Sequence, residues 1–265
     1  MNSVSGSMQG RHAVVVAAAG EIGCAVALEL ASRGANLYLA GRNVGALEKV
    51  AARALNPAKV DIAALDATDD FEVDRYFRNL VARGVAVDFL INAIGPRPGG
   101  AKYGCRSDEL SLSEFLLPIE LVAGSQLLTA TRGRRAMRQD PSSVIVILTS
   151  SLGRSAIPLM AGITAASDAA QGLARVLAAE FGATAPRVVC ARVDAIPKSR
   201  TIRETMAANA QTLGMTVEEF TQTLPGDASK PLTIERVARV LADLHGTSGY
   251  PEICPTGSLL DIVAQ

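Results

Sequence analysis

The chain has 265 residues, 49% of them hydrophobic, and its 26 Lys and Arg are balanced by 26 Asp and Glu. Length and apolar content suit one large α/β domain with a well-buried core. Zero net charge gives no purchase to a nucleic acid or an anionic membrane surface, and no apolar run reaches the ~18 residues needed to cross a bilayer. Cys24, Cys105, Cys190 and Cys254 show no CxxC spacing, and His12 and His245 lie far apart. That pattern predicts free thiols in a cytoplasmic protein and no metal site.

Residues 1–10, MNSVSGSMQG, lack the apolar core of a signal peptide. They are expected to form a flexible tail ahead of a single domain over 11–265. The stretch that organises the domain follows at once: Ala13 to Gly23, AVVVAAAGEIG. It reads as a buried strand over 13–17, a small-residue turn at Ala18, Ala19, Gly20 and Glu21, and a helix over 21–32. A turn of Gly and Ala lets phosphates approach the backbone, and a helix N-terminus offers free N–H groups and partial positive charge. This is the geometry of a dinucleotide site.

Further strands are predicted at 36–41, 59–65, 86–93, 143–150, 187–193 and 252–255. Helices are predicted at 44–55, 69–82, 111–137, 161–181, 201–224 and 233–245. The alternation implies a Rossmann-type, doubly wound parallel sheet of seven strands in a three-layer α/β/α arrangement, ordered 3-2-1-4-5-6-7. The connections are short except 95–110 and 194–231. Both long ones follow strand C-termini, where open α/β sheets bind ligands.

Along nearly its full length the chain resembles the short-chain dehydrogenase/reductase family. The family's glycine motif is TGxxxGxG, or TGxxGxxG in a variant form. Against Val16-Ala17-Ala18-Ala19-Gly20-Glu21-Ile22-Gly23, only Gly23 survives from the first form. Gly20 and Gly23 survive from the second, with Ala17 for the first glycine. The resemblance makes Ala17, Ala19, Gly20, Glu21, Ile22 and Gly23 cofactor-binding positions. The Glu21 carboxylate has two readings: it lies near the pyrophosphate and repels it by roughly 3 kcal/mol at ~5 Å before screening, or it points to solvent as a first-turn helix acid.

The second strand ends Gly41-Arg42-Asn43. In the family an acid at the position of Gly41 grips the ribose 2′-hydroxyl and selects NAD. Its absence, with the Arg42 fork beside it, implies NADP(H) over NAD(H); the alternatives are a surface arginine at 42 and a helix cap at Asn43. By resemblance Asp66 and Ala67 meet the adenine, and Asn92, Ala93 and Ile94 line the adenosine pocket. Asp66 also suits a helix cap ahead of Asp69.

The family's catalytic tetrad is Asn, Ser, Tyr and Lys. The register set by Thr149-Ser150-Ser151 and by the helix around Gln171-Gly172 places the serine at Ser150, the tyrosine position at Ile163, the lysine position at Ser167 and the asparagine position at Leu121. Only the serine is present. Ile163 cannot donate a proton, and a missing acid costs typically 10²–10⁴-fold. Ser150, Arg154 and Ile163 are the candidate substrate contacts, with Ser150 a hydrogen-bond donor or simply a strand-end serine. Lys102, Tyr103, Arg154, Lys198 and Tyr250 are the other polar residues that could reach the cleft, but none has spacing that demands a catalytic role and surface placement is the better reading. Asp168, Tyr38 and Tyr76 are expected away from it.

Three functions stay open: an NADP(H)-dependent oxidoreductase acting on a small carbonyl or alcohol, a non-redox enzyme performing cyclisation, dehydration or isomerisation, and a catalytically silent binding or partner subunit, with or without a bound cofactor. By resemblance the helices at 111–137 and 161–181 pair subunits into a homodimer or homotetramer.

Overall fold

A computed structural model describes residues 7–55, 59–96, 102–151, 157–181, 186–222 and 231–245, and the backbone of 258–262. Its strands are β1 (His12–Val16), β2 (Asn36–Gly41), β3 (Val60–Ala64), β4 (Phe89–Asn92), β5 (Val144–Ser150) and β6 (Arg187–Val193), with β7 (Ser258–Ile262) at the edge. The helices are α1 (Glu21–Ser32), α2 (Val44–Ala51), α3 (Asp70–Ala82), α4 (Leu112–Ile119), α5 (Ser125–Gly133), α6 (Ala161–Phe181), α7 (Arg200–Leu213), α8 (Val217–Gln222) and α9 (Ile234–Ala242). The sheet order is β3-β2-β1-β4-β5-β6-β7, every pair parallel. Chain direction across the sheet reverses between β1 and β4, and the crevice at such a switch point is where this architecture binds ligands.

A parallel sheet buries both faces, which is why its strands are continuous apolar runs. Alternate side chains divide between two cores. On one face Val15, Leu37, Leu39, Ile91, Val146 and Val189 pack under α1 and α9 through Val26, Leu30, Val237 and Leu241. On the other, Val14, Val16, Leu90, Ile145 and Ile147 pack under α3, α5 and α6 through Phe77, Leu80, Ala130, Ala170 and Leu177.

Four expectations are corrected. The tail does not extend to residue 10: Met8 is fully buried and its N–H donates to Arg33 O at 3.0 Å. The helix expected over 111–137 is broken by a π-turn at Glu120–Gly124, where the Ser125 hydroxyl takes the Leu121 carbonyl. The helix expected over 201–224 divides at Gly214, whose left-handed φ of 67° ends α7. Residues 252–255 lie outside the described residues, and the strand pairing with β6 is instead Ser258–Ile262.

Candidate functional site

The turn after β1 brings the chain to the crevice. Ala17 adopts φ 58°, a left-handed conformation that favours glycine. Gly20 N–H closes the turn on Ala17 O at 2.9 Å, and Cys24 N–H donates to Gly20 O at 2.8 Å. A Cβ on Gly23 would lie 2.4 Å from Ala17 O and 3.0 Å from Ala18 Cα, so the approach of α1 to the turn requires a glycine there. Gly20 caps α1 without a side chain. Ala19 is exposed and Ile22 packs partly against the first core.

Glu21 occupies the place of the second glycine of the TGxxxGxG form. Its carboxylate is exposed, yet both oxygens accept from the Arg200 backbone N–H, at 3.0 and 3.3 Å. Arg200 is the first residue of α7, so the solvent reading of Glu21 is incomplete: the side chain ties the N-termini of two helices together. Sequence reasoning missed this contact, which spans 179 positions.

At the end of β2, Arg42 is exposed and has no hydrogen bond or ion pair among the described residues. Asn43 takes its alternative role: its Oδ1 accepts from Ala46 N–H at 3.0 Å and caps α2. Asp66 accepts from the Thr68 hydroxyl at 2.7 Å and the Thr68 N–H at 3.0 Å. These two bonds hold its carboxyl below the ordinary range against the opposing effect of burial, helped by the charge of Arg42. The cap of α3 is Asp69, not Asp66. Ala67 is buried.

Asn92, only 1% exposed, does not present its side chain to the crevice. Its amide donates to Ser125 Oγ at 3.0 Å and Thr129 Oγ1 at 3.3 Å, and its Oδ1 accepts from Ile94 N–H. Gln126 then donates to Asn92 O and Leu148 O, fastening β4 to β5. Ser125, Gln126 and Thr129 went unnoticed in the sequence. Their signal is three polar residues on the buried face of α5, beside Ala130 and Gly133. Ala93 N–H donates to Val16 O at 3.0 Å beside this strut.

Ser150 ends β5, half-buried and in register with Val193. Ile163 and Ser167 stand one turn apart on α6, each 4% exposed. The Ser167 hydroxyl donates to Ile163 O at 3.0 Å, and Thr149 Oγ1 donates to Ser167 O at 3.2 Å. These two positions therefore form a closed, neutral patch with no proton donor aimed outward. Leu121 lies in the π-turn, a helix irregularity that recurs at functional sites. Arg154 and Tyr250 lie outside the described residues.

Of the described polar candidates, Lys102 and Tyr103 are occupied. Lys102 shares a small cavity with Ile163, Pro118 and Met160, but its Nζ pairs with Glu114 Oε1 at 3.0 Å. Bonds from the Ser111 N–H and from Lys102 bring Glu114 down to about 2, and the same pair raises Lys102 above its usual value. Lys102 is thus a fixed cation and a poor acid. The Tyr103 hydroxyl donates to Pro96 O at 2.9 Å, and burial pushes its pKa to about 12, so it too keeps its proton. Next to it, Gly104 N–H donates to Asn209 Oδ1 at 3.0 Å and Thr212 Oγ1 donates to Gly104 O, docking this loop on α7. Lys198 and Asp168 are exposed, the latter accepting from Gln171 at 3.0 Å. Tyr38 hydroxyl meets His12 Nδ1, and Tyr76 sits half-buried on α3 against the second core, both away from the crevice. Among the described residues no cluster of His, Cys, Asp or Glu could hold a metal ion, and no helix is long and apolar enough to cross a membrane.

The family described as enoyl-(acyl carrier protein) reductase matches residues 16–245. The chain is similar to ketoacyl reductase 1 of the granaticin polyketide synthase of Streptomyces violaceoruber, 28% identical over 203 residues that cover 72% of this chain and 71% of that one. Its fold is similar to that of NAD+-bound xylitol dehydrogenase, with a TM-score of 0.84 at 21% identity over 98% of this chain and all of the other. Levodione reductase has the same fold, with a TM-score of 0.80 at 22% identity and 97% of both chains covered.

Proposed function

The chain belongs to the short-chain dehydrogenase/reductase family of oxidoreductases, and we propose that it takes NADP(H) across the β1–α1 turn and acts on a small carbonyl or alcohol metabolite. The observation that carries the cofactor choice is the end of β2. Gly41 brings no acid against a 2′-phosphate, and Arg42 beside it is uncommitted among the described residues. The close approach at Gly23 and the uncapped first turn of α1 suit a pyrophosphate. Asp66, its Oδ1 taken by Thr68, has Oδ2 left for the adenine amino group.

When bound, the nicotinamide supplies or accepts the hydride. Ser150 holds the substrate oxygen through its hydroxyl proton at the end of β5. Ile163 gives the pocket an apolar wall and contributes no proton, so the proton that balances the hydride comes from water at the substrate oxygen. Loss of a positioned acid sets turnover 10²–10⁴-fold below a complete tetrad. The test is NADPH oxidation against a panel of small aldehydes and ketones. Ser150→Ala should lower turnover about 10²-fold, the cost of one carbonyl-oxygen donor; unchanged turnover removes Ser150 from the mechanism.

A second reading, a catalytically silent or non-redox protein on the same frame, is favoured by the Ile163–Ser167 patch, which among the described residues offers no proton donor or cation at the tyrosine and lysine positions. It predicts no carbonyl-dependent oxidation of NADPH, whether or not the nucleotide binds. We place the protein in the cytoplasm as a homodimer or homotetramer: Cys24 and Cys105 form no disulfide, and Leu116, Leu117 and Leu127 remain exposed on α4 and α5. Ile163 and Leu177, expected among the subunit contacts, are buried within the chain. A monomeric mass in solution overturns the assembly.

A further inference from the structure

The β1–α1 turn and the segment after β6 both follow strand C-termini, the side on which open α/β sheets take ligands. Here those two walls are joined. Glu21, first residue of α1, gives both carboxylate oxygens to the N–H of Arg200, first residue of α7. Two further amides of that helix start are satisfied locally: Ser199 Oγ accepts from Ile202 N–H at 3.3 Å and Ser199 O from Arg203 N–H at 3.1 Å. The Arg200 guanidinium turns away to Glu204 at 3.9 Å. A full negative charge therefore stands in the first turn of α1, where a dinucleotide's phosphates would look for free amides.

We propose that Glu21 determines what this crevice admits: its carboxylate is an internal anion that latches α7 across the β1–α1 turn, and a ligand pyrophosphate enters only by displacing it. The proposal rests on NADP(H) binding at this turn. Two anions in the first turn of one helix repel each other, even with Glu21 exposed to solvent. A ligand must therefore part Glu21 from Arg200 and turn the carboxylate outward. The far half of α7 is held independently, by Asn209 and Thr212 to Gly104. Unlatching thus frees the first turn of α7 while its body stays docked, and the latch gates entry rather than unfolding the wall. A neutral or cationic ligand meets no such penalty, so Glu21 biases the crevice against dinucleotides in general and makes cofactor affinity depend on one side chain.

The test uses the full chain in three forms: wild type, Glu21→Gln, which keeps an acceptor without the charge, and Glu21→Ala, which removes both. NADPH affinity is measured by calorimetry, and trypsin cleavage after Lys198 and Arg200 is followed without nucleotide. The latch predicts that Glu21→Gln tightens NADPH binding about tenfold or more, and that Glu21→Ala also speeds cleavage at those two sites about tenfold, the weight of one hydrogen bond to a charged group in the open population. Where wild type binds NADPH and neither variant binds it more tightly, or where cleavage in Glu21→Ala is unchanged, the latch is wrong and the cofactor reading stands. Where none of the three binds at millimolar NADPH, the cofactor reading falls and takes the competition with it.

Discussion

Ala17 is the residue on which the turn's conformation can be weighed. At φ 58° it carries a Cβ in the left-handed region, which costs an L-residue roughly 1–2 kcal/mol. Ala17→Gly removes that cost. It also gives the unfolded chain more freedom, which takes back about 0.5–1 kcal/mol. The net expectation is a gain of about 0.5–1 kcal/mol, or a rise in Tm of about 1–4 °C for a domain of this size. Gly23→Ala is the opposite control. Its new Cβ would sit 2.4 Å from Ala17 O and 3.0 Å from Ala17 C and Ala18 Cα, all backbone atoms that cannot rotate away. Overpacking of that kind costs about 1–3 kcal/mol. Urea unfolding followed by circular dichroism, with m unchanged between variants, reads both. A less stable Ala17→Gly protein, or a Gly23→Ala protein as stable as wild type, would refute the turn geometry on which the phosphate site rests.

Gly41→Asp has room, since a Cβ there meets Leu47 Cδ2 at 3.7 Å and Ala17 Cα at 3.8 Å. It should fold normally and reverse the cofactor preference, weakening NADPH at least tenfold relative to NADH in paired titrations; an unchanged ratio would show that the end of β2 does not meet the ribose. Ser167→Lys places an ammonium at a position 4% exposed, where among the described residues the polar contacts are Ile163 O, Thr149 and Gln171 and none is an acid. The expected loss is at least about 2 kcal/mol in urea unfolding, and no loss would mean that the site is open to water. Asp88 is buried and accepts from Arg138 at 2.7 Å, Arg11 at 2.9 Å and the His12 N–H at 2.9 Å. Burial alone would push its pKa up, but those bonds outweigh it and hold the carboxyl below its ordinary value. Its stabilisation is therefore present above the unfolded pKa of ~4 and lost as pH falls through the lower folded value. Between pH 5 and 2, wild type should lose stability more steeply than Asp88→Asn; parallel curves would deny the linkage.

The frame was readable because burial writes itself into parallel strands. Val14–Val16 and Ile145–Ile147 are apolar on both faces, and both lie between helical layers. Element ends were less readable. Gly214 stops α7 through its φ, yet an isolated glycine in a helical pattern carries little signal by itself. Met8 packs because the turn at Arg33 accepts its N–H, a partner 25 residues away. The site divides the same way. The tight turn at Gly20 and Gly23 was legible in the small residues around it, because local backbone geometry fixes such a turn. Asn92 was assigned to the pocket by resemblance, and only the fold shows that Ser125 and Thr129 claim its amide. The Glu21–Arg200 contact joins the first helix to the seventh, and no local pattern announces it.

The central claim is that this crevice holds NADP(H). Calorimetric titration of the purified chain with NADPH, with NADH in parallel, tests it most directly. The account predicts saturable NADPH binding, tighter than NADH, that weakens about tenfold or more in Arg42→Ala as one charge-assisted phosphate contact is lost. No heat with either nucleotide at millimolar concentration would contradict it and leave the non-redox or silent protein standing.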